Sequence, residues 1–287
     1  MLPDFIGVGA QKSGTSWIFA CLEEHPEICM PVKEIHFFSK KKLYEKGLKW
    51  YEKQFKYCNS KYKIGEFSTT YLHSDEALNK IYLHYPNIKI IVSIRDPISR
   101  AHSHFQNDIM AGSISKEAQF FDLIVKKPEY WKRGLYHKKI SWLFKKFGKD
   151  KVCVLFIEDA KENPQAFIRS IYKFLNVNKT FISSSLNKKI NVSNVPRFVR
   201  LGLFMDFISK IIRKLGMTFF IRYLRAKGVI DFARKANASS KNSFNDQIIW
   251  PKRIIEELEI DRQKLEILLD RDIKSWKSYN YFEKKID

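Results

Sequence analysis

Four short apolar runs, residues 5–8, 62–67, 88–95 and 151–157, alternate with segments whose apolar side chains recur at helical spacing, and this alternation restricts the fold more than any other feature. A strand that returns parallel to its neighbour needs a crossover, which a helix supplies. The spacing predicts helices over residues 16–24, 75–85, 98–110, 138–147 and 164–175. Residues 88–95 read most clearly as strand and end at Asp96-Pro97, where proline suits the first turn of the next helix. Gly148 stops the helix that precedes the fourth strand. The expectation is an α/β fold with a parallel, doubly wound central sheet flanked by helices on both faces.

At 287 residues the chain is long enough for one α/β unit with insertions, or for a domain with an appendage. Hydrophobic residues at 45% and charged residues at 29% exclude collagen-like, low-complexity and wholly disordered classes. Lys and Arg number 52 against 31 Asp and Glu, a net charge of +21 that directs the chain toward anions. Nucleic acid, acidic lipid, polysaccharide and a phosphorylated cofactor all satisfy that charge. Cys21, Cys29, Cys58 and Cys153 form no C-x-x-C pair and no zinc spacing, so a reduced compartment is the simplest home and no metal is expected. Asp4 and the early glycines do not resemble an export signal, and no stretch reaches the roughly 18 to 20 apolar residues of a membrane span. The location expected is cytoplasmic.

Beyond residue 175 the chain changes character. Residues 197–241 hold eleven Lys and Arg against two Asp and Glu, with Leu201, Phe204, Ile208, Ile211, Ile212 and Leu215 at helical spacing, and read as a basic amphipathic segment. Residues 236–245 read as a Ser/Asn-rich loop. Trp250-Pro251 then introduces a last helical pattern that runs through Leu258, Leu265, Leu268 and Leu269 to Trp276. No internal repeat is present.

Two stretches carry chemistry. The loop from Gly9 to Trp17 lies between a predicted strand and a predicted helix, where backbone N–H groups converge and the helix dipole favours an anion. Gly9 and Gly14 keep the separation of a P-loop, but Thr15-Ser16 follows where a nucleotide triphosphatase requires lysine and then Ser or Thr; the lysine lies inside the loop, at Lys12. From there it would neutralise charge on a departing 5′-phosphate oxygen without a metal. A plain Gly-Ser-Thr turn is the competing reading. The second stretch, Arg95 to Ser103, leaves the end of the strongest strand, where doubly wound sheets place ligands. Arg95 would enter the same crevice as Lys12, and a serine on one face of the helix, Ser99 or Ser103, would help it grip a second phosphate. A structural Arg95–Asp96 pair is the alternative, and Arg100 reads as solvated.

In this order the motifs resemble the sulfotransferases that use 3′-phosphoadenosine 5′-phosphosulfate (PAPS). Gln11-Lys12-Ser13-Gly14-Thr15-Ser16-Trp17 looks like their 5′-phosphosulfate loop, and Ile94 to Arg100 through Ser103 looks like their 3′-phosphate motif. Lys33-Glu34-Ile35-His36-Phe37-Phe38 is similar to the Glu-x-His-Phe-Phe motif of the heparan-sulfate type and its bacterial relatives. Gly134 and Tyr136, Glu158-Asp159, Asn163-Pro164, Phe174-Leu175, Asn191 to Arg197 and the ending from Leu265 to Trp276 extend the resemblance over nearly the whole chain.

The resemblance implies one P-loop-type, three-layer α/β domain over 1–287, with a variable basic insertion at about 197–245. It implies transfer of a sulfuryl group to an acceptor hydroxyl or amine on a glycan, glycolipid or small metabolite. Lys12 would contact the leaving oxygen, Ser13, Gly14, Thr15 and Ser16 would bind the phosphosulfate, Trp17 would join the cofactor-binding residues, Arg95 and Ser103 would hold the 3′-phosphate, and Arg197 would lie on a loop closing over the nucleotide. Glu34 stands where the heparan-sulfate type carries the carboxylate that takes the acceptor proton. His36 is the rival base or a packing residue.

One departure stands out. Heparan-sulfate-type enzymes have Glu-Lys after the second strand, and this chain has Glu66-Phe67, so the second catalytic cation is missing from that place. The segment 197–241 reads as a helical lid, a groove for an anionic acceptor, or an interfacial helix at a membrane. A kinase or nucleotidase with a displaced lysine and a basic nucleic-acid-binding protein are the competing functions; no helix-turn-helix, RRM or zinc-finger signature supports the latter, and no nucleic-acid partner is expected.

Overall fold

The computed structural model describes residues 1–115, 117–187 and 250–276. In chain order the elements are β1 (Phe5–Gly9), α1 (Thr15–Glu23), β2 (Ile28–Cys29), α2 (Lys41–Tyr44), α3 (Leu48–Glu52), β3 (Lys63–Phe67), α4 (Asp75–His84), β4 (Lys89–Ile94), α5 (Pro97–Met110), α6 (Phe120–Lys126), α7 (Glu129–Lys132), α8 (His137–Phe147), β5 (Val152–Phe156), α9 (Asp159–Glu162), α10 (Pro164–Leu175) and α11 (Lys252–Leu269). The described residues fall into two units, one of 1–101, 131–187 and 251–276, the other of 102–130 with Trp250.

The first unit holds a five-stranded sheet in the order β2-β3-β1-β4-β5, and every pairing is parallel. Side chains alternate across it, as the two-residue period of a strand requires. Ile6, Val8, Ile90, Val92 and Phe156 face one core, covered by α4, α8 and Leu265 of α11. Phe5, Phe67, Ile91 and Leu155 face the other, covered by α1 and α10. That is the three-layer, doubly wound P-loop-type arrangement expected.

The register of β1 on β3 is locked by a reciprocal device. Phe5 stands opposite Gly65, and Gly7 opposite Phe67. Each ring lies over the facing glycine so closely that a Cβ on Gly65 would come within 2.4 Å of Phe5, and one on Gly7 within 2.1 Å of Phe67. Interiors packed to crystal density do not absorb such overlaps cheaply.

In the second unit Phe120 of α6 packs against Phe105 and Trp250, with ring centroids 5.2 and 5.6 Å away. The His104 ring lies 4.6 Å from that of Tyr130, whose hydroxyl donates to Asp108.

The structure adds to and corrects the sequence reading. The edge strand β2, two residues long, was not foreseen, because so short a run has no readable period. The last helix ends at Leu269, with Asp270 in a left-handed conformation; Trp276 lies beyond it, yet is buried in the first core. Cys29 and Cys58 form a disulfide tying β2 to the coil before β3, whereas the spacing suggested four cysteines in a reducing setting. The pairing follows from the parallel return of β3 beside β2, which brings together residues 29 apart in sequence. The motif 191–197 with Arg197, the basic segment 197–241, the loop 236–245 and with them the whole predicted insertion at about 197–245 lie outside the described residues. No helix among the described residues is long and apolar enough to cross a membrane.

Gly65→Ala and Gly7→Ala should each lower the unfolding free energy by about 1–3 kcal/mol, read from urea denaturation. Unchanged midpoints would show that the two rings do not clamp the strands.

Candidate active site

At the carboxyl end of β1 the chain turns through residues 10–14 into α1. Gly14 makes the last step at φ +74°, and a Cβ there would strike Ile157 at 2.2 Å, so both conformation and space demand glycine. No side chain caps α1. Among the described residues, the amides of Gly14, Thr15 and Ser16 donate to no backbone carbonyl, which leaves a ready-made site for an anion.

The end of β4 pins this loop. The Ala10 amide donates to the Ser93 carbonyl at 2.6 Å, and the Ser93 hydroxyl donates to the Ser13 carbonyl at 2.6 Å. Arg95 donates from Nη1 to the Lys12 carbonyl at 3.2 Å, while Arg133 reaches Gln11 Oε1 at 2.7 Å. Lys12 itself has φ +72°, unusual for a side chain of its size. Ser13 and Thr15 are buried, and Ser16 lies at the first turn of α1. Trp17 turns its indole N–H to the Ser185 and Leu186 carbonyls, at 3.1 and 3.2 Å, so it fastens the chain after α10.

Asp96 and Pro97 open α5, and the Asp96 carboxylate accepts from the Ser99 amide at 2.6 Å as an N-cap. Arg95 is positioned from behind. Asp261 of α11 accepts the Tyr136 amide at 2.7 Å at the start of α8, and the Tyr136 hydroxyl donates to the Arg95 carbonyl at 2.9 Å. Arg95 Nε is buried without a hydrogen-bond partner among the described residues. Arg100, read from sequence as solvated, is instead fully buried, because the second turn of α5 faces inward. Burial lowers its guanidinium to about 10, and Arg133 and Arg95 push the same way, so three cations share this quarter of the molecule. Ser103 is carried by α5 one turn beyond Ser99 and is buried.

Glu34 and His36 lie on the loop after β2, both with positive φ, +62° and +56°. The loop is fastened to the chain that follows β3. The Glu34 amide donates to the Phe67 carbonyl at 2.8 Å, and the His36 amide to the Ser68 hydroxyl at 2.9 Å. The Glu34 carboxylate accepts from the Thr69 amide at 3.1 Å and from the Thr69 hydroxyl at 3.0 Å. His36 Nε2 lies 3.2 Å from Glu34 Oε2, and its Nδ1 lies 2.9 Å from the Thr70 hydroxyl. Burial holds the imidazole below its usual range, against the pull of Glu34. A neutral ring satisfies both contacts in one tautomer only, with Nε2–H donating to Glu34 and Nδ1 accepting from Thr70. His36 thus orients the carboxylate. Lys33 joins the two halves of the site: its ammonium donates to Ser16 Oγ at 2.6 Å and lies 3.8 Å from Glu34 Oε1.

Beneath the loop is Glu66, which the motif reading noted only as the residue before the missing lysine and gave no role. Glu66 is fully buried and accepts hydroxyl hydrogen bonds from Tyr51 at 2.9 Å, Tyr71 at 3.0 Å and Ser68 at 2.6 Å. Burial outweighs these donors and pushes its carboxyl up to about 7. Its signal in the sequence is an acidic residue inside a strand, between Gly65 and Phe67.

These features fit a ligand with two separated anionic groups: free amides and Lys12 at one place, and a cluster of arginines at the end of β4. Residues 2–195 match the sulfotransferase domain family. The chain belongs to the sulfotransferase family. It is 30% identical over 120 residues to heparan sulfate glucosamine 3-O-sulfotransferase 5 of Mus musculus, covering 42% of this chain and 34% of that protein. The Homo sapiens protein of the same name is 25% identical over 187 residues, covering 61% and 54%. The chain thus spans between a third and just over half the length of these relatives. In structure it resembles a sulfotransferase from Alicyclobacillus acidocaldarius, with a TM-score of 0.67 at 21% identity over 96% of this chain and 99% of that one.

The raised Glu66 carboxyl makes stability depend on pH. The folded chain holds this proton more tightly than the unfolded chain, so the stabilisation is complete below about pH 4.5 and is lost as pH rises through about 7. Glu66→Gln should therefore gain stability relative to the parent between pH 5 and pH 8, by on the order of 3 kcal/mol in chemical denaturation. Parallel pH profiles for the two proteins would contradict a buried, titrating Glu66.

Proposed function

We propose that the chain transfers the sulfuryl group of PAPS to a hydroxyl or amine of a glycan-type acceptor. The observation that carries this reading is the meeting of two chemically opposite places. The amides at the start of α1 suit an anion, Glu34 suits the removal of a proton, and Lys33 touches both, at 2.6 Å from Ser16 and 3.8 Å from Glu34.

When bound, PAPS supplies the sulfuryl group and a 5′-phosphate leaving group. Lys12 and the amides of Gly14, Thr15 and Ser16 hold the phosphosulfate and stabilise the charge that gathers on the departing oxygen. Arg95 holds the 3′-phosphate, and Ser103 and Arg197 keep the roles that the motif resemblance assigns to them. Glu34, held by Thr69 and oriented by His36, takes the proton of the acceptor. Such a transfer depends on positioning and electrostatics. A kinase reading fares worse, since Thr15 follows Gly14 where the β/γ-phosphate lysine would stand.

The names of the mouse and human relatives favour a glycan over a small metabolite as acceptor. The basic segment 197–241 enters the proposal as the surface that draws in an anionic acceptor or an acidic membrane. A cytoplasmic location is part of the same reading. Alkylation in intact cells tests it: free thiols at Cys29 and Cys58 support it, and a disulfide there indicates an oxidising compartment.

In calorimetry, adenosine 3′,5′-bisphosphate should bind without magnesium and more tightly than ADP, and a magnesium-dependent preference for ADP would overturn the reading. Lys12→Ala should abolish transfer, and Glu34→Gln should slow turnover by about 10²-fold. Wild-type turnover in the Gln variant would remove the base role from Glu34.

A further inference from the structure

Between the Glu34 loop and β3 the chain makes an excursion, residues 40–61, that carries α2 and α3. Its two faces are opposite in kind. Inward, the rings of Tyr44, Trp50 and Tyr51 pack on Phe37 with centroids 5.3, 6.0 and 4.8 Å away, and Phe55 is fully buried. Outward, eight lysines are all exposed, against two acidic residues, Glu45 and Glu52. The disulfide from Cys58 to Cys29 ties the far end of the excursion back to β2 across 29 residues. Charges that repel one another are thereby held together by a buried inner face and a covalent clasp.

The chemistry of the outer face selects among anions. Its cations are all lysines and none is arginine, whereas the cluster at the end of β4, Arg95, Arg100 and Arg133, is made of guanidinium groups. A guanidinium fork matches one oxyanion in a fixed geometry, while an ammonium acts as a hydrated point charge. A surface of ammonium groups alone answers to a diffuse negative field. Aromatic rings stand among them: Lys46 lies 4.9 Å over Trp50, Lys56 lies 4.6 Å over Tyr57, and Lys61 lies 5.0 Å over Tyr62. Trp50 is also stacked on Phe37 at 23°, so its faces are spoken for and a sugar ring finds no open platform there. Tyr57 is 82% exposed. Tyrosine and tryptophan beside lysine are the side chains that lodge at the headgroup level of a bilayer, where one end of the ring is apolar and the other wet.

We propose that residues 40–61 form a docking surface for an anionic lipid bilayer. The lysines gather at the negative headgroups, and Tyr57 enters the headgroup layer. This surface is separate in sequence from the basic segment 197–241, and its docking does not depend on the sulfuryl transfer. Joined to that transfer, docking brings the Glu34 loop, which packs on the same excursion through Phe37, to an acceptor carried on a membrane.

The parent protein should co-sediment with phosphatidylcholine vesicles containing about 30 mol% phosphatidylserine at about 0.15 M salt, and not with phosphatidylcholine alone. Each lysine at such a surface multiplies partitioning about fivefold, so Lys46→Gln, Lys49→Gln, Lys53→Gln and Lys56→Gln combined should weaken it on the order of 10²-fold. A control of equal net charge changes four exposed lysines elsewhere, Lys145, Lys149, Lys173 and Lys179, to Gln, and should bind within about threefold of the parent. Circular dichroism, melting and bisphosphate binding check that both variants fold. Equal weakening in the control would show that total charge alone binds, and parent-like binding by the first variant would move the contact elsewhere in the chain; either result overturns the proposal. No vesicle binding by the parent overturns it as well, and dextran sulfate held through the same four lysines would then assign the face to a soluble polyanion. Vesicle binding is read without cofactor or acceptor, so its failure and that of the sulfuryl-transfer reading are distinct.

Discussion

A carboxyl group removed from water must be surrounded by donors or hold its proton, and Glu66 organises the acceptor side of the site through that requirement. Its oxygens collect Tyr51, Tyr71 and Ser68, which come from α3, from the chain after β3 and from the end of β3. The Ser68 hydroxyl, once committed to Glu66, is the acceptor that fixes the His36 amide. Thr69 and Thr70 follow along the same stretch and take hold of Glu34 and His36. A loop with little regular structure is thereby held as firmly as a strand edge. The candidate base inherits its position from a group that touches no substrate.

The backbone records the same constraint. Among the described residues five non-glycine positions have positive φ, and three of them are Lys12, Glu34 and His36. Each such conformation costs on the order of 1 kcal/mol and persists only when its surroundings over-determine it. For Lys12 the surroundings are the β4 end and Arg95; for Glu34 and His36 they are the chain after β3. Strain of this kind is found where side chains must be presented at one orientation, which matches the roles proposed for these three.

Charge is arranged around the site rather than spread over it. Arg95, Arg100 and Arg133 gather near the end of β4, and burial has already lowered the guanidinium of Arg100. Lys33 reaches Ser16 at the start of α1, and Lys12 lies in the loop that leads into that helix, its carbonyl held by Arg95. A net charge of +21 is thus not merely a solvated surface, because part of it is held inside the first unit by named hydrogen bonds.

Much of the fold was legible because it depends on period and punctuation. The four apolar runs became β1, β3, β4 and β5, and the predicted helices moved by a residue or so, since Pro97, Gly148 and Pro164 mark boundaries by local chemistry that no tertiary contact overrides. Lys12 and Arg95 stood out from residue type and spacing, and Glu34 and His36 from the resemblance of their motif to a known family. What tertiary structure decided was adjacency. The pairing of Cys29 with Cys58, the inward turn of Arg100, the network around Glu66 and the reach of Lys33 to Ser16 all join residues that only the parallel return of the chain brings together. Sequence determines which groups a chain owns and where its elements start and stop; which carboxylate loses water, and which lysine meets a helix end, depends on burial and distance, and those exist only after folding.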